Sequence, residues 1–236
     1  MDQKDRLIVA LDLPSVYHAE QMVETLGDAV SFYKIGMELT YAGGLPLVKA
    51  LVAKGKKVFL DLKLHDIPHT VEMATARVAD LGATFLTVHA YPQTMDAAHK
   101  GRKGTDTQIL GVTVMTSMDD DDLKHAGYAY SVSELVVRRA NQAKNSGIDG
   151  LICSAADITN IRTSIGKALK IITPGIRPAG SDIGDQKRIM TPSEAIKAGA
   201  DYLVIGRPIT NAPNPYAAAE AILTEMKTSN QPCFSL

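Results

Sequence analysis

Three charged residues of both signs crowd into six positions directly after an apolar run. In Phe59-Leu60-Asp61-Leu62-Lys63-Leu64-His65-Asp66-Ile67-Pro68-His69-Thr70 they are Asp61, Lys63 and Asp66. Strand side chains alternate between faces, so Asp61 and Lys63 point the same way if a strand continues that far. Asp66 falls just past it, where the chain turns at Ile67-Pro68. Charges are seldom buried unless paired, and a pair at a strand end is either a structural ion pair on a rim or a functional site. A second lysine, Lys34, lies inside the apolar run Phe32-Tyr33-Lys34-Ile35-Gly36. It could lift its ammonium to solvent along its own stem. Beside Asp61 and Asp66 it instead makes an alternating Lys34-Asp61-Lys63-Asp66 array. Opposite charges about 4 Å apart attract by roughly 4 kcal/mol at an effective dielectric near 20. Such an array keeps both lysines protonated and both aspartates ionised. Fixed, preorganised charge of this kind suits stabilisation of charge that develops during a reaction.

Other segments suit an anion. Tyr202-Leu203-Val204-Ile205 runs into Gly206-Arg207-Pro208. A glycine at a strand end lets backbone N–H groups approach a phosphate, and an arginine adds a bidentate contact. Gly206 could equally be a plain turn residue. The stretch from Pro174-Gly175-Ile176-Arg177 to Arg188 carries Gly175, Gly180 and Gly184 with Arg177, Gln186, Lys187 and Arg188. A long glycine-bearing loop beside a phosphate site reads as a lid, with a plain connection as the alternative. The acidic run 119–122 reads as a solvated face or a helix start rather than a metal site. His65, His69 and His89 lie within reach of Asp61 and Asp66, which keeps a divalent metal open. Lys34 and Lys63 in the same pocket would repel it, and the expectation is no metal and no cofactor.

The elements that must position these residues follow one repeating pattern. Apolar or β-branched runs at 7–12, 31–36, 57–62, 84–89, 108–114, 149–154, 169–173 and 201–206 predict strands. Helical spacing over 17–26, 45–54, 71–81, 93–100, 132–146, 158–165, 192–198 and 216–226 fills the gaps. Gly27, Gly55, Gly82, Gly147 and Gly199 close helical segments as left-handed caps, and Pro14, Pro46, Pro192 and Pro215 suit helix starts. Alternating strands and helices predict a parallel sheet, and eight such units predict a (β/α)8 barrel. The alternative, a doubly wound open sheet, would want a glycine-rich turn after its first strand, and Asp12-Leu13-Pro14-Ser15 is not one. The expected organisation is a single barrel domain over 1–228 and a loose tail over 229–236. In a barrel the chemistry sits at the carboxyl ends of the strands. Reading those ends yields Asp12, Lys34, Asp61 with Lys63, His89, Thr113 with Thr116, Ser154, Arg177, and Gly206-Arg207.

Composition excludes several classes. The 236 residues are 45% hydrophobic and 22% charged with a net charge of −1, ordinary for a globular chain. No global basic excess points to nucleic acid or an anionic membrane. Two cysteines, Cys153 in an apolar run and Cys233 in a polar tail, read as a buried small hydrophobe and a free thiol. The N-terminus enters a strand pattern with no signal-peptide anatomy, and no apolar run is long enough to span a bilayer. The expectation is a cytoplasmic protein.

Taken together the residues resemble the orotidine 5′-phosphate decarboxylases over essentially the whole chain. The resemblance lies in Asp12 in LIVALD, Lys34 in YKIGMEL, the stretch FLDLKLHDIPHT, Thr116 in VMTS, PGIR ending at Arg177, Gln186, and Gly206-Arg207 in VIGRPIT. The D-x-K-x-x-D-I-P pattern with Lys34 is its specific part. It implies decarboxylation of orotidine 5′-monophosphate (OMP) to UMP, with Lys63 as proton donor and Asp61 near the substrate carboxylate. Lys34 would hold the array and contact the ribose, and Asp12 would bind the ribose too. Thr116 would meet the pyrimidine edge. Gln186, Gly206 and Arg207 would take the phosphate, with Arg177 on the gripping loop. Asp66, with Ile67 and Thr70, would enter from the partner of a homodimer. His69 departs from the Asn or Thr more familiar there. Two other readings stay open: a metal-dependent sugar-phosphate decarboxylase or aldolase with the same D-x-K-x-x-D, and a non-catalytic nucleotide-binding barrel.

Overall fold

The computed structural model describes residues 3–178 and 190–228. Their eight strands are β1 (Leu7–Ala10), β2 (Phe32–Gly36), β3 (Lys57–Leu64), β4 (Phe85–His89), β5 (Gln108–Val112), β6 (Gly150–Ile152), β7 (Lys170–Thr173) and β8 (Tyr202–Ile205). All pairings are parallel, and the order β1 through β8 closes into a barrel when β8 pairs with β1. The principal helices are α1 (Val16–Leu26), α2 (Leu45–Ala53), α3 (Pro68–Ala79), α4 (Pro92–Gly101), α5 (Val132–Asn145), α6 (Ile158–Ile165), α7 (Pro192–Ala198) and α8 (Pro215–Thr228). The chain is therefore the expected (β/α)8 barrel.

Parallel strands buried on both faces need nearly continuous apolar sequence, and β1 and β8 are buried along their whole length. Alternate residues divide the core in two. Leu7, Val9, Tyr33, Ile35 and Leu60 face outward to the helix layer. Ile8, Phe32, Phe59, Phe85, Tyr202 and their neighbours fill the barrel interior. Phe32, Phe85 and Tyr202 are the first residues of their strands and pack ring against ring, with centroids 5.1 to 6.1 Å apart. They plug the amino end of the barrel interior.

Local signals set the helix ends. Ser15, Ser131 and Thr191 each accept a bond from a backbone N–H of the first turn, the last two in capping boxes with Glu134 and Glu194. Pro192 and Pro215 open their helices, and Pro46 sits in the first turn of α2. Pro14 instead precedes the Ser15 cap, because α1 begins at Val16. The expected cap glycines all take positive φ, from 50° at Gly27 to 110° at Gly199. Gly199 is left-handed, whereas Gly27 has ψ −126° and closes α1 differently. The acidic run proves to be a helix start: Asp119 and Asp122 form a capping box on a short helix, Asp120–His125. A second short helix, Arg207–Thr210, follows β8. Its four residues are too few for helical periodicity to register.

Phe85→Ala removes the ring shared by Phe32, Phe59 and Tyr202. It is expected to lower unfolding stability by about 3–5 kcal/mol, read from denaturant titration. A loss under about 1 kcal/mol would show that the plug does not hold the barrel.

Candidate active site

The carboxyl ends of the strands enclose a cavity of about 610 Å³. Asp12, Lys34, Asp61, Lys63, Thr116, Arg177, Gly206 and Arg207 line it, and Val112 and Ile152 from the barrel interior supply apolar wall.

Lys34 stands on the inward face of β2, two residues after Phe32, with only 9% of its side chain exposed. Its Nζ donates to Asp12 Oδ1 at 2.8 Å and lies 3.6 Å from Asp61 Oδ2. Lys63 Nζ donates to Asp61 Oδ1 at 2.8 Å. Gly36 makes this packing possible, since a Cβ there would stand 2.6 Å from Asp12 Oδ1 and 2.8 Å from Lys34 Nζ.

Simple alternation does not bring Asp61 and Lys63 together. β3 runs two residues further than expected, and its register against β4 jumps from Leu60↔Leu86 to Leu64↔Val88. Asp61, Leu62 and Lys63 thus stand against Thr87 alone. Such a bulge bends the strand and re-aims a side chain. Lys63 takes φ 50°, and it alone among the described non-glycine residues has positive φ. A residue held there costs of order 1–3 kcal/mol, strain that clusters at functional sites. The Lys63 backbone N–H donates to Thr87 Oγ1 at 2.9 Å, and Thr87 Oγ1 donates to Asp61 Oδ1 at 2.9 Å.

Burial by itself would raise the Asp61 carboxyl pKa. The Lys34 and Lys63 ammoniums and the hydrogen bonds from Lys63 and Thr87 outweigh it and hold the group below its usual 3.8. Asp61 is therefore ionised at neutral pH, with 14% of its side chain exposed.

Within one chain the charged side chains in contact are Asp12, Lys34, Asp61 and Lys63, with Asp12 joining the expected Lys34, Asp61 and Lys63. The chain turns away after β3, residues 65–70 are exposed, and Asp66 accepts a bond from its neighbour's Ile67 N–H at 2.6 Å. Asp66, Ile67 and Thr70 do not line this chain's cavity. Arg177 is buried and donates to Ile176 O at 3.0 Å. Arg207 opens the short helix after Gly206 and stands exposed at the rim. Gln186, Lys187, Arg188, Gly180, Gly184 and Cys233 lie outside the described residues, while Cys153 is buried.

The histidines gather beside the array with aromatic partners. His65 stacks on Tyr91 at 4.6 Å, and His89 lies 5.6 Å from His65. Burial, then the positive charges of His65, Arg139 and Lys63, push the His89 pKa below 6.5. Among the described residues no group of three or more His, Cys, Asp or Glu is placed to hold a metal. Sequence reading missed Thr87 and Gly36. The parity Phe85, Thr87, His89 was the available signal for Thr87, while nothing local marked Gly36 as the neighbour of an ion pair.

An ammonium held against a carboxylate beside an apolar wall, with Arg177 in the lining and Arg207 at the rim, can stabilise and protonate a carbanion on a phosphorylated substrate. Residues 5–222 match the model of the orotidine 5′-phosphate decarboxylase / HUMPS family. The orotidine 5′-phosphate decarboxylase of Rhodopseudomonas palustris is 60% identical over 226 residues, 96% of each chain. That of a Bradyrhizobium species is 61% identical over 225 residues, 95% of this chain and 93% of the relative. The crystal structure of the Lactobacillus acidophilus enzyme superposes with a TM-score of 0.84 at 40% identity, covering 94% of this chain and 99% of that one. The Pyrococcus horikoshii enzyme gives 0.75 at 29% identity, with 94% and 99% covered.

The depressed Asp61 pKa has a signed consequence. A carboxyl whose folded value lies below 3.8 contributes stability that is present above pH 3.8 and lost as pH falls through the folded value. Asp61→Asn is expected to flatten the acid limb of the stability curve measured by urea unfolding at a series of pH values. An unchanged limb would show that Asp61 is not held ionised by its neighbours.

Proposed function

The chain belongs to the orotidine 5′-phosphate decarboxylase / HUMPS family, and from that membership and the site we infer that it decarboxylates OMP to UMP and CO2, a carboxy-lyase step of pyrimidine biosynthesis. The observation that carries this reading is the Lys63 ammonium fixed at 2.8 Å from an ionised Asp61 inside the cavity.

Loss of CO2 from the pyrimidine leaves a carbanion at C6 with poor resonance stabilisation. Lys63 is the acid in position to offset that charge and then to deliver a proton to C6. The base lies with C6 toward Lys63 and its carboxylate toward Asp61. Repulsion between the two carboxylates raises the ground state, and it is relieved as CO2 leaves. Lys34 and Asp12 hold the ribose, and Thr116 meets the pyrimidine edge. Gly206 and Arg207 take the phosphate, with Gln186 and with Arg177 at the start of the gripping loop. Phosphate binding remote from C6 then drives closure and appears in the chemical step.

Asp66, Ile67 and Thr70 belong in this proposal to the partner's site in a homodimer. Their exposure, 66% for Ile67, supports that reading, as do the exposed Met37 and Tyr41. Lys34 beside Asp61 disfavours the metal-dependent alternative, because its ammonium competes for the carboxylate a cation would need. One catalytic domain over 1–228, a tail over 229–236, and a cytoplasmic setting without nucleic acid or membrane partner complete the proposal. Among the described residues no helix is long and apolar enough to cross a membrane.

Mixing the protein with OMP and following loss of orotate absorbance tests the activity; no loss would refute it. Lys63→Ala is expected to reduce turnover by at least about 1,000-fold while UMP still binds, since general acid and electrostatic roles combine in one residue. Substantial residual turnover would remove Lys63 from the proton-donor role.

The shared site has its own test. When Lys63→Ala and Asp66→Ala chains are unfolded together and refolded, half the dimers are mixed and each mixed dimer has one intact site. About a quarter of wild-type activity should return in this two-fold arrangement. Recovery no higher than the separate mutants, with exchange confirmed, would place Asp66 in its own chain's site.

A further inference from the structure

We propose that Thr87 is a positioning residue for this reaction: its hydroxyl ties the backbone of Lys63 to the carboxylate of Asp61 and so fixes both members of the reacting ion pair. The proposal rests on the functional reading above and adds to it a residue on β4 that touches neither cavity nor solvent.

The polarity of the link is fixed by chemistry. A backbone N–H can only donate and an ionised carboxylate can only accept. The hydroxyl of Thr87 therefore receives the Lys63 N–H at 2.9 Å and gives its one proton to Asp61 Oδ1 at 2.9 Å. Bonds that follow one another in a single direction polarise each other, more so away from water, and Thr87 has no exposed surface.

The need for such a link comes from the bulge. Between Leu60↔Leu86 and Leu64↔Val88 the ladder between β3 and β4 is interrupted, and Lys63 has φ 50°. Its N–H has been turned from the place where a regular parallel pair would offer a carbonyl. A buried N–H left there without a partner is disfavoured, so the side chain of Thr87 substitutes for the missing carbonyl. The same contact orients Asp61. Oδ1 receives Lys63 Nζ and Thr87 Oγ1, each within 2.9 Å, while Oδ2 turns to Lys34 Nζ at 3.6 Å. Removing the hydroxyl frees the carboxylate to rotate and releases the unusual backbone of Lys63. Both changes act on groups whose placement matters most when charge develops at C6.

The test compares Thr87→Val, which keeps the shape and loses the hydroxyl, with Thr87→Ser, which keeps the hydroxyl. Thr87→Val is expected to lower kcat for OMP roughly 10- to 100-fold, the range for losing a hydrogen bond to a charged group. Its dissociation constant for UMP should stay within about threefold, because UMP carries no group at C6 for the pair to act on. Thr87→Ser should stay within about threefold of wild type in both. Hydrogen exchange at the Lys63 amide, followed by NMR, should accelerate in Thr87→Val and remain protected in Thr87→Ser. A valine variant that retains kcat, a valine variant that loses UMP affinity as much as kcat, or unchanged exchange at Lys63 would overturn the proposal. If the valine variant does not fold, the serine variant decides, since a loss beyond about tenfold in kcat would show that the hydroxyl is not the operative group. A wild-type protein inert toward OMP would sink the functional reading instead, and the exchange experiment, which needs no turnover, would still decide whether Thr87 holds Lys63.

Discussion

Asp61 stays ionised although little of it meets water, and the surrounding barrel mouth is built to make that tolerable. A carboxylate withdrawn from solvent is disfavoured by several kcal/mol unless charge and hydrogen bonds replace the lost hydration. Here two lysines and a threonine hydroxyl do so. Each of these partners imposes a demand in turn. Lys34 must sit inside an otherwise apolar strand, and Gly36 must lack a side chain so that its ammonium can reach Asp12. Lys63 must leave regular strand geometry, and Thr87 must stand opposite the gap.

The barrel makes such demands affordable by separating stability from chemistry along its axis. Phe32, Phe59, Phe85 and Tyr202 close the amino end with apolar contact. The helix layer buries the outward faces of the strands. The array and the positive φ of Lys63 lie at the carboxyl end, where the cavity lined by Lys34, Asp61 and Lys63 opens. The same residue parity that directs Phe32 and Phe85 into the interior brings Lys34 to the cavity and Thr87 beneath it against Asp61, so packing and chemistry share one register.

The sequence on its own settled the number and order of the strands, the parallel barrel, most cap residues, and the residue types at the strand ends. These follow from local periodicity and turn chemistry, which a short window contains. It also singled out Asp61, Lys63, Lys34 and Asp12 by type and place. The tertiary structure decided which of them meet. Asp12 and Lys34 are 22 positions apart and pair only because β1 and β2 are neighbours in register. Asp66, five residues from Asp61, stands on an exposed turn outside its own chain's cavity because the backbone turns outward there. The bulge and the Thr87 link arise from a mismatch between β3 and β4, a property of two strands laid side by side. A window on one strand holds no record of its neighbour's register, and for that reason the members of the site were legible while its connections were not.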